Sequence, residues 1–219
     1  MTKRRILVLA PHTDDGEFGC GGTICRLVAE GDLITYVAFS AAENSLPEAW
    51  PPDTLREEVK DATKVLGIHT QDVRLFDYPT RDFPQFRQQI LEEMILMKKE
   101  IKPDLVLLPS TNDTHQDHQI VSQEGFRAFK TTSMLGYELP WNNLTFRTNF
   151  FVCLEDHHIN KKIEALHCYR SQQERPYASA EFVKSLAVTR GTQIGVKYAE
   201  VFESIRWVLK ADTRIDLPC

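Results

Sequence analysis

The sequence predicts an α/β fold: a single Rossmann-like, doubly wound and mainly parallel sheet with helices on both faces. Short runs made only of apolar residues, such as residues 6–10 and 105–108, alternate with amphipathic segments. Such runs are typical of strands that are buried on both faces. Strands that alternate with helices favour parallel pairing through right-handed crossovers. The 219 residues contain no Pro/Ser/Gly-rich linker, which favours one domain over residues 1–219.

Four strands and four helices alternate over the first two-thirds of the chain. The strands are predicted at residues 6–10, 33–39, 73–76 and 105–108, and the helices at residues 23–30, 54–66, 84–99 and 118–129. Gly31 and Gly67 directly follow the first two helices, where glycine commonly ends a helix. Apolar residues at positions 86, 90, 94 and 97 give the third helix one apolar face. A glycine-rich turn at residues 19–22 is expected to precede the first helix.

The last third of the chain has a less regular pattern. A strand is predicted at residues 150–154, and helices at residues 159–170 and 180–200. Residues 201–209 alternate between apolar and polar side chains, which predicts a strand at the edge of the sheet.

Composition and charge exclude several classes of partner. Hydrophobic residues make up 42% of the chain and the net charge is -5, with no basic run beyond residues 3–5. Nucleic acid and anionic membranes are therefore not expected partners. No apolar stretch approaches the roughly 20 residues of a transmembrane helix. The five cysteines are scattered and odd in number, so we expect a reducing, cytoplasmic location.

Two clusters of histidine and aspartate follow two of the predicted strands. The first cluster contains His12, Asp14 and Asp15, and the second contains Asp113, His115, Asp117 and His118. In a Rossmann-type strand order of 3-2-1-4, the first and fourth strands are neighbours. Their carboxyl ends flank the point where the winding direction reverses, which is where open α/β sheets bind ligands. The two clusters are therefore expected to meet.

These residue types are those of a catalytic zinc site, which has three protein ligands and one open position. His12, Asp15 and His118 are the candidate ligands. Zinc bound in this way lowers the pKa of a water molecule to about 7, and Asp14 is then available as a general base. Taken alone, an Asp-Asp pair after a strand is commonly a turn and helix cap. It is the pairing of two such clusters that favours a metal site.

His115 and Asp117 are candidates for supporting roles. His115 could donate a hydrogen bond to a developing oxyanion or protonate a leaving amine. The Asp117 carboxylate is expected to hold the His115 ring in the required tautomer. Taken alone, a His-x-x-His pair is commonly a surface or capping feature.

At these residues the chain resembles the PIG-L/LmbE-like family of zinc-dependent deacetylases. The resemblance rests on the stretch from His12 to Asp15, on the glycines at 19–22 and on the stretch from His115 to His118. The family removes acetyl groups from N-acetylglucosamine-type sugars on small or lipid-linked carriers. The resemblance implies an N-deacetylase with His12, Asp15 and His118 as zinc ligands and Asp14 as general base, and with zinc and His115 stabilising the oxyanion.

The chain departs from the family pattern at two positions and matches it at others. Thr13 stands where the family usually has proline, and Gly16 stands where glutamate is common. Neither position supplies a ligand or base, and Glu17 is a partial substitute for the missing glutamate. The matching positions outside the two clusters include Arg56, Glu58, Tyr169, Arg190, Tyr198 and Glu200.

Four residues are candidates for binding the substrate. Arg56 and Arg81 follow strands that end at the ligand-binding edge of the sheet. Arg190 and Tyr198 rest mainly on the family resemblance. The substrate is expected to be a small N-acetylated sugar or sugar conjugate, and homo-oligomerisation is compatible with the sequence.

Three other interpretations compete with the deacetylase. Two histidines and one carboxylate also form the iron site of non-haem oxygenases, and Fe2+ is an alternative to Zn2+. A non-catalytic protein that binds metal or carbohydrate is the second. Dinucleotide binding is the third, but residues 19–22 do not have GxGxxG spacing and no acidic residue ends the second strand. The sequence also leaves open whether Asp14 or His115 protonates the leaving amine.

Overall fold

The computed structural model describes residues 3–47 and 49–209, in which seven strands form one sheet in the order β3-β2-β1-β4-β5-β7-β6. The strands are β1 (Arg5–His12), β2 (Leu33–Ser40), β3 (Val73–Leu75), β4 (Leu105–Pro109), β5 (Ser133–Tyr137), β6 (Phe150–Leu154) and β7 (Tyr198–Arg206). The first five strands are parallel, and β7 is antiparallel to both β5 and β6. The predicted fold class and the 3-2-1-4 order are confirmed. Cys219 lies outside the described residues.

The helices cover both faces of this sheet. They are α1 (Asp15–Ala29), α2 (Thr54–Val65), α3 (Arg87–Ile101), α4 (Gln116–Ala128), α5 (Asp156–His167) and α6 (Ala180–Thr192). Successive side chains of a strand point to opposite faces, so β1 serves two cores. Ile6 and Val8 pack with residues of α1, α2 and α5, whereas Leu7 and Leu9 pack with residues of α3 and α4. No helix in the described part of the chain is long and apolar enough to cross a membrane.

The first helix begins earlier than the sequence predicts, because the glycine-rich segment is helical. It runs from Asp15 and has a kink at Cys20, whose φ is -148° and ψ 22°. A Cβ atom at Gly19 would lie 2.2 Å from Cδ2 of Tyr137, so only glycine allows the helix to approach the sheet this closely. The close approach holds α1 directly beside the carboxyl end of β1.

A buried carboxylate caps the second half of the kinked helix. Glu200 accepts hydrogen bonds from the backbone amides of Gly22, at 3.0 Å, and Thr23, at 2.6 Å. Lys162 of α5 pairs with the same carboxylate at 2.7 Å. The kink frees amide groups that a straight helix would bond internally, and Glu200 satisfies them.

The structure corrects three further predictions of secondary structure, all of them after residue 130. Strand β5 is absent from the prediction, and the helix predicted at residues 180–200 ends at Thr192. The chain turns at Gly195, whose φ is +74°, and re-enters the sheet as β7. Strand β7 is internal because it pairs with β5 and β6, so the prediction of an edge strand at residues 201–209 is wrong.

Candidate metal centre

The two His/Asp clusters meet at the carboxyl ends of β1 and β4. These strands pair in parallel, with Ile6 opposite Leu105 and Val8 opposite Leu107. His12 is the last residue of β1, and His118 lies in the first turn of α4. Their imidazole centroids are 5.2 Å apart, and both side chains are buried. The parallel register thus brings together groups that are about a hundred residues apart in the chain.

Three donor atoms of His12, Asp15 and His118 form a nearly equilateral triangle. Nδ1 of His12 lies 3.1 Å from Oδ2 of Asp15 and 3.3 Å from Nε2 of His118. Nε2 of His118 lies 3.2 Å from the same Asp15 oxygen. A tetrahedral zinc ion with bonds of about 2.0–2.1 Å separates its ligand atoms by about 3.3 Å. The triangle therefore fits three ligands of one metal ion.

Each imidazole of the triangle is oriented by a second carboxylate. Nε2 of His12 lies 3.0 Å from Oδ2 of Asp117, and Nδ1 of His118 lies 2.8 Å from Oδ2 of Asp113. An ionised carboxylate accepts a hydrogen bond from the N–H of each of these nitrogens, which leaves Nδ1 of His12 and Nε2 of His118 without a proton in the neutral rings. These are the atoms of the triangle, so the arrangement presents lone pairs to a metal.

Asp117 orients His12 and not His115, which corrects the prediction from the sequence. Its carboxylate also accepts the backbone amide of Arg81, at 2.7 Å, and that of Phe83, at 3.3 Å. The His115 ring contacts Asp117 differently: its Nδ1 accepts the Asp117 backbone amide at 3.2 Å. The Asp117 side chain lies on the His12 side because the loop after β3 supplies two amide donors there.

The electrostatics of the triangle are those of a cation site. Burial opposes a charge on His118, but Asp15 and Asp113 outweigh it and raise the pKa of His118 to about 10. Burial opposes the charge of Asp15 too, yet the pKa of its carboxyl lies well below its usual range because of His118 and His12. Burial likewise lowers the pKa of His12, while Asp117 and Asp15 raise it above its usual value. A metal ion would replace these protons.

Asp14 occupies the N-cap position of α1 without acting as a side-chain cap. Its carboxylate makes no capping hydrogen bond, and the residue is only partly buried. Burial and the neighbouring charge of Asp15 raise the pKa of Asp14 to about 6, although Arg175 and His12 oppose the shift. The capping interpretation of the Asp-Asp pair therefore does not account for Asp14, whose carboxylate lines the cavity beside the triangle.

His115 combines a structural contact with a free ring nitrogen. It is the N-cap residue of α4, and its Nδ1 caps the helix by accepting the amide of Asp117. Burial and the charges of His118 and His12 lower the pKa of His115. The neutral ring must then carry its proton on Nε2, which makes it a hydrogen-bond donor. Ring nitrogens of His12, His115 and His118 all lie within 4.8 Å of one another, so His115 also belongs to a second possible ligand set.

The structure explains why Gly16 stands where the family commonly has glutamate. A Cβ atom at this position would lie 2.6 Å from Cε2 of Tyr36. The Tyr36 hydroxyl donates to the carbonyl of Thr13 at 2.8 Å and also contacts Glu17. Glu17 is fully buried and accepts a second hydrogen bond, from the Tyr169 hydroxyl, at 2.9 Å. Glu17 therefore supports the loop of residues 12–15 from behind and lies outside the cavity.

The triangle opens into a cavity of about 210 Å³, which contains one of the four predicted substrate-binding residues. Arg81 lines the cavity. The guanidinium of Arg56 is held by Glu43 and Asp77 beside a neighbouring cavity. The guanidinium of Arg190 is held by Glu138 and faces a separate cavity.

Tyr198 is the fourth of these candidates and lies inside the sheet. It is the first residue of β7 and is 2% exposed. Arg56, Arg190 and Tyr198 thus do not line this cavity: two pair with carboxylates elsewhere, and one is buried in the sheet. Their part in substrate binding stays a prediction.

Sequence reasoning missed four cavity-lining residues that come from later in the chain. These residues are Trp141, Gln172, Arg175 and Tyr177. They lie in the connections after β5 and α5, where Gln172 and Tyr177 belong to short 3-10 helices and no periodicity marks them. The signal that the sequence offered for the later segment was two arginines and one tyrosine within residues 170–177.

The protein is therefore an α/β protein with a candidate metal centre at the point where the winding direction of its sheet reverses. The sequence model of the PIG-L family, GlcNAc-PI de-N-acetylase, matches residues 7–129. The chain belongs to this family, as the two clusters predicted.

Relatives and solved structures agree with this assignment. The chain is 29% identical over 174 residues to the uncharacterized deacetylase YaiS of Escherichia coli, covering 77% of this chain and 92% of the relative. It is 25% identical to the diacetylchitobiose deacetylase of Thermococcus kodakarensis, covering 90% and 81%. The structure of GalB, the 4-carboxy-2-hydroxymuconate hydratase of Pseudomonas putida, is 21% identical and covers 94% and 98%, with a TM-score of 0.78. That likeness concerns the fold alone.

Proposed function

We propose that this chain is a metal-dependent hydrolase that removes the acetyl group from an N-acetylated amino sugar or sugar conjugate. The carboxylate of Asp14, which lines the cavity beside the donor triangle and makes no capping hydrogen bond, carries the proposal. The substrate class is supported by the family description and by the diacetylchitobiose deacetylase among the relatives. The fold alone does not support a deacetylase over other reactions, because the hydratase GalB has a similar fold.

His12, Asp15 and His118 would hold the metal ion. Two imidazole nitrogens and one carboxylate oxygen are ordinary zinc ligands, and Fe2+ accepts the same set. When bound, the cation supplies Lewis acidity to the acetyl carbonyl and lowers the pKa of the attacking water. Asp113 and Asp117 hold the two rings in the tautomers that such binding requires.

Asp14 and His115 carry the proton and charge changes of the reaction. Asp14 accepts a proton from the water that attacks the acetyl carbon. His115 donates a hydrogen bond from Nε2 to the carbonyl oxygen as that oxygen becomes negative. The bond between the acetyl carbon and the nitrogen then breaks, and the proton on Asp14 passes to the departing amine. We assign this proton to Asp14 because the lowered pKa of His115 keeps its ring neutral. The single proton of that ring, on Nε2, is already used in the hydrogen bond to the carbonyl oxygen.

Two broader predictions join this proposal. All seven described strands belong to one sheet, which supports a single deacetylase domain over residues 1–219. A cytoplasmic location and a small-molecule partner stay predictions, and cell fractionation with enzyme assay of each fraction tests the first.

An acetate-release assay over N-acetylated sugars and sugar conjugates tests the function. We expect acetate from at least one substrate, loss of activity with a chelator, and recovery on adding Zn2+ or Fe2+. Asp14→Asn should lower kcat by at least about 100-fold while metal content is unchanged. Asp61→Asn, an exposed position on α2, is the control. Full activity of Asp14→Asn would exclude Asp14 as the base, and no acetate from any substrate would exclude the deacetylase.

A further inference from the structure

The cavity has an aromatic wall made by Trp141 and Tyr177. Their rings are stacked, with centroids 3.9 Å apart and an interplanar angle of 11°. Phe18 meets both rings edge-on, each at a centroid distance of 5.3 Å. Three mutually packed rings hold one another in place, so this wall is a flat and rigid apolar surface. All three residues line the cavity that contains the donor triangle.

Arg175 lies on this wall and differs from Arg56 and Arg190, two of the arginines that the sequence predicted to bind substrate. Its Nη1 donates to the Tyr177 hydroxyl at 2.5 Å. In the described part of the chain it forms no ion pair with a carboxylate, whereas Arg56 and Arg190 each do. The residue is partly buried and lines the cavity. Its guanidinium is thus held in place at one nitrogen while most of its donors lack an acidic acceptor.

The Arg175 guanidinium is suited to binding an oxyanion. A guanidinium binds a carboxylate or phosphate with two parallel hydrogen bonds, and partial burial strengthens that interaction relative to water. Among the charged groups of the site, Asp14 interacts most strongly with the Arg175 charge, although the two side chains form no ion pair in the described part of the chain. An acceptor for the remaining donors must therefore come from a bound ligand or from solvent.

We propose that Arg175, fixed against the Trp141–Tyr177 wall, is a specificity-determining residue that binds an oxyanion carried by the substrate outside its acetamido group. The substrate would then be an acidic N-acetylated sugar conjugate. The aromatic wall packs against the apolar face of the sugar or its substituent, and Arg175 binds the carboxylate or phosphate. This inference rests on the proposed function, because it describes the substrate of the same cavity.

Matched substrates that differ only in charge test the proposal. The carboxymethyl and carbamoylmethyl glycosides of N-acetylglucosamine have nearly the same shape, and only the first is anionic. With the metal-loaded protein we expect kcat/KM at least about tenfold higher for the carboxymethyl glycoside, the size of one charge-assisted hydrogen bond. N-acetylglucosamine 1-phosphate is the third arm, and a preference for it would identify phosphate as the bound oxyanion.

Variants of Arg175 show whether this residue causes the preference. In Arg175→Gln the ratio between the two glycosides should fall to about one, mainly through a higher KM for the anion. Arg175→Lys should keep part of the ratio because it retains the charge but not the paired hydrogen bonds. Arg170→Gln, at an exposed position of the same connection, is the matched control and should keep the full ratio.

Binding measured without turnover separates this proposal from the proposed function. In the Asp14→Asn protein, calorimetric titration should show tighter binding of the carboxymethyl glycoside than of the carbamoylmethyl glycoside, and Arg175→Gln should abolish the difference. Equal affinity, or a preference that survives Arg175→Gln, overturns the proposal whether or not acetate is released. Acetate from both glycosides at equal kcat/KM overturns it while the deacetylase stands.

Discussion

Nε2 of His12 lies 3.0 Å from Oδ2 of Asp117, a residue 105 positions further along the chain. The same carboxylate accepts the backbone amides of Arg81 and Phe83, which follow β3. One carboxylate thereby joins the ends of three strands, β1, β3 and β4. The orientation of the His12 ring depends on all three.

Replacing Asp117 should weaken metal binding without removing a ligand. In Asp117→Asn the amide lacks the negative charge that holds the His12 proton, and its nitrogen cannot accept the Arg81 amide. Loss of such a partner typically lowers metal affinity about 10- to 100-fold. Competition with a chromogenic chelator measures the affinity. Asp82→Asn, an exposed neighbour in the same loop, is the control, and equal affinities of the two variants would contradict the prediction.

Metal content should distinguish the two possible ligand sets. We expect about one divalent ion per chain in the unmodified protein, since three donors converge on one point. His118→Ala should lose most of this metal, whereas His115→Ala and the exposed His69→Ala should keep it. Elemental analysis after dialysis against trace metal gives the stoichiometry. Metal loss in His115→Ala would favour the three-histidine set in place of the set with Asp15.

The acid limb of the pH-rate profile should report Asp14. A general base works in its ionised form, and the pKa of Asp14 in the metal-free protein is about 6. Activity should therefore rise with pH through an apparent pKa at or below about 6, because a bound cation favours the ionised form further.

Arg175 should move this limb in a defined direction. Its charge lowers the pKa of Asp14, so Arg175→Gln should shift the acid limb of kcat/KM to higher pH. The profile is measured on a neutral substrate, so that loss of anion binding does not enter. Arg170→Gln should leave the limb in place, and an identical profile in both variants would contradict the assignment.

Gly16 and Tyr36 should be energetically coupled. A Cβ at Gly16 would lie 2.6 Å from the Tyr36 ring, so Gly16→Ala forces the ring or the helix to move. Overpacking of this kind typically costs about 1–3 kcal/mol. In the background of Tyr36→Ala the same change should cost much less, because the space is free. Urea denaturation of the four proteins measures the coupling, and additive effects would show that the ring yields without cost.

The sequence predicts the sheet best where local pattern and burial agree. The apolar runs of β1 and β4 require burial on both faces, so their adjacency and the meeting of the two clusters follow from topology. The start of α1 does not follow, because the glycines at 19 and 22 lower helix propensity and only contacts with Tyr137 and Glu200 explain them. The start of strand β7 was not predicted either, because the pattern of residues 180–200 resembles a helix although the chain turns at Gly195.

The cavity wall is the part of the candidate site that the sequence could not supply. Arg175 and Tyr177 lie in a connection whose position depends on the packing of Trp141 and Phe18. No periodicity links these segments. Arg56 and Arg190 show the converse: a family match identifies them, but neighbouring carboxylates engage them away from the cavity.

The candidate site is divided between two lengths of chain. The donor triangle and its supporting carboxylates come from residues 12–118, whereas Trp141, Gln172, Arg175 and Tyr177 lie after β5. Much of the cavity wall can thus be altered without replacing a ligand, the base or a supporting carboxylate. A chimaera could keep the amino-terminal half and take the connections after β5 and α5 from a relative. It would retain its catalytic groups, and its substrate range should move toward that of the relative. Natural diversification can proceed by the same exchange.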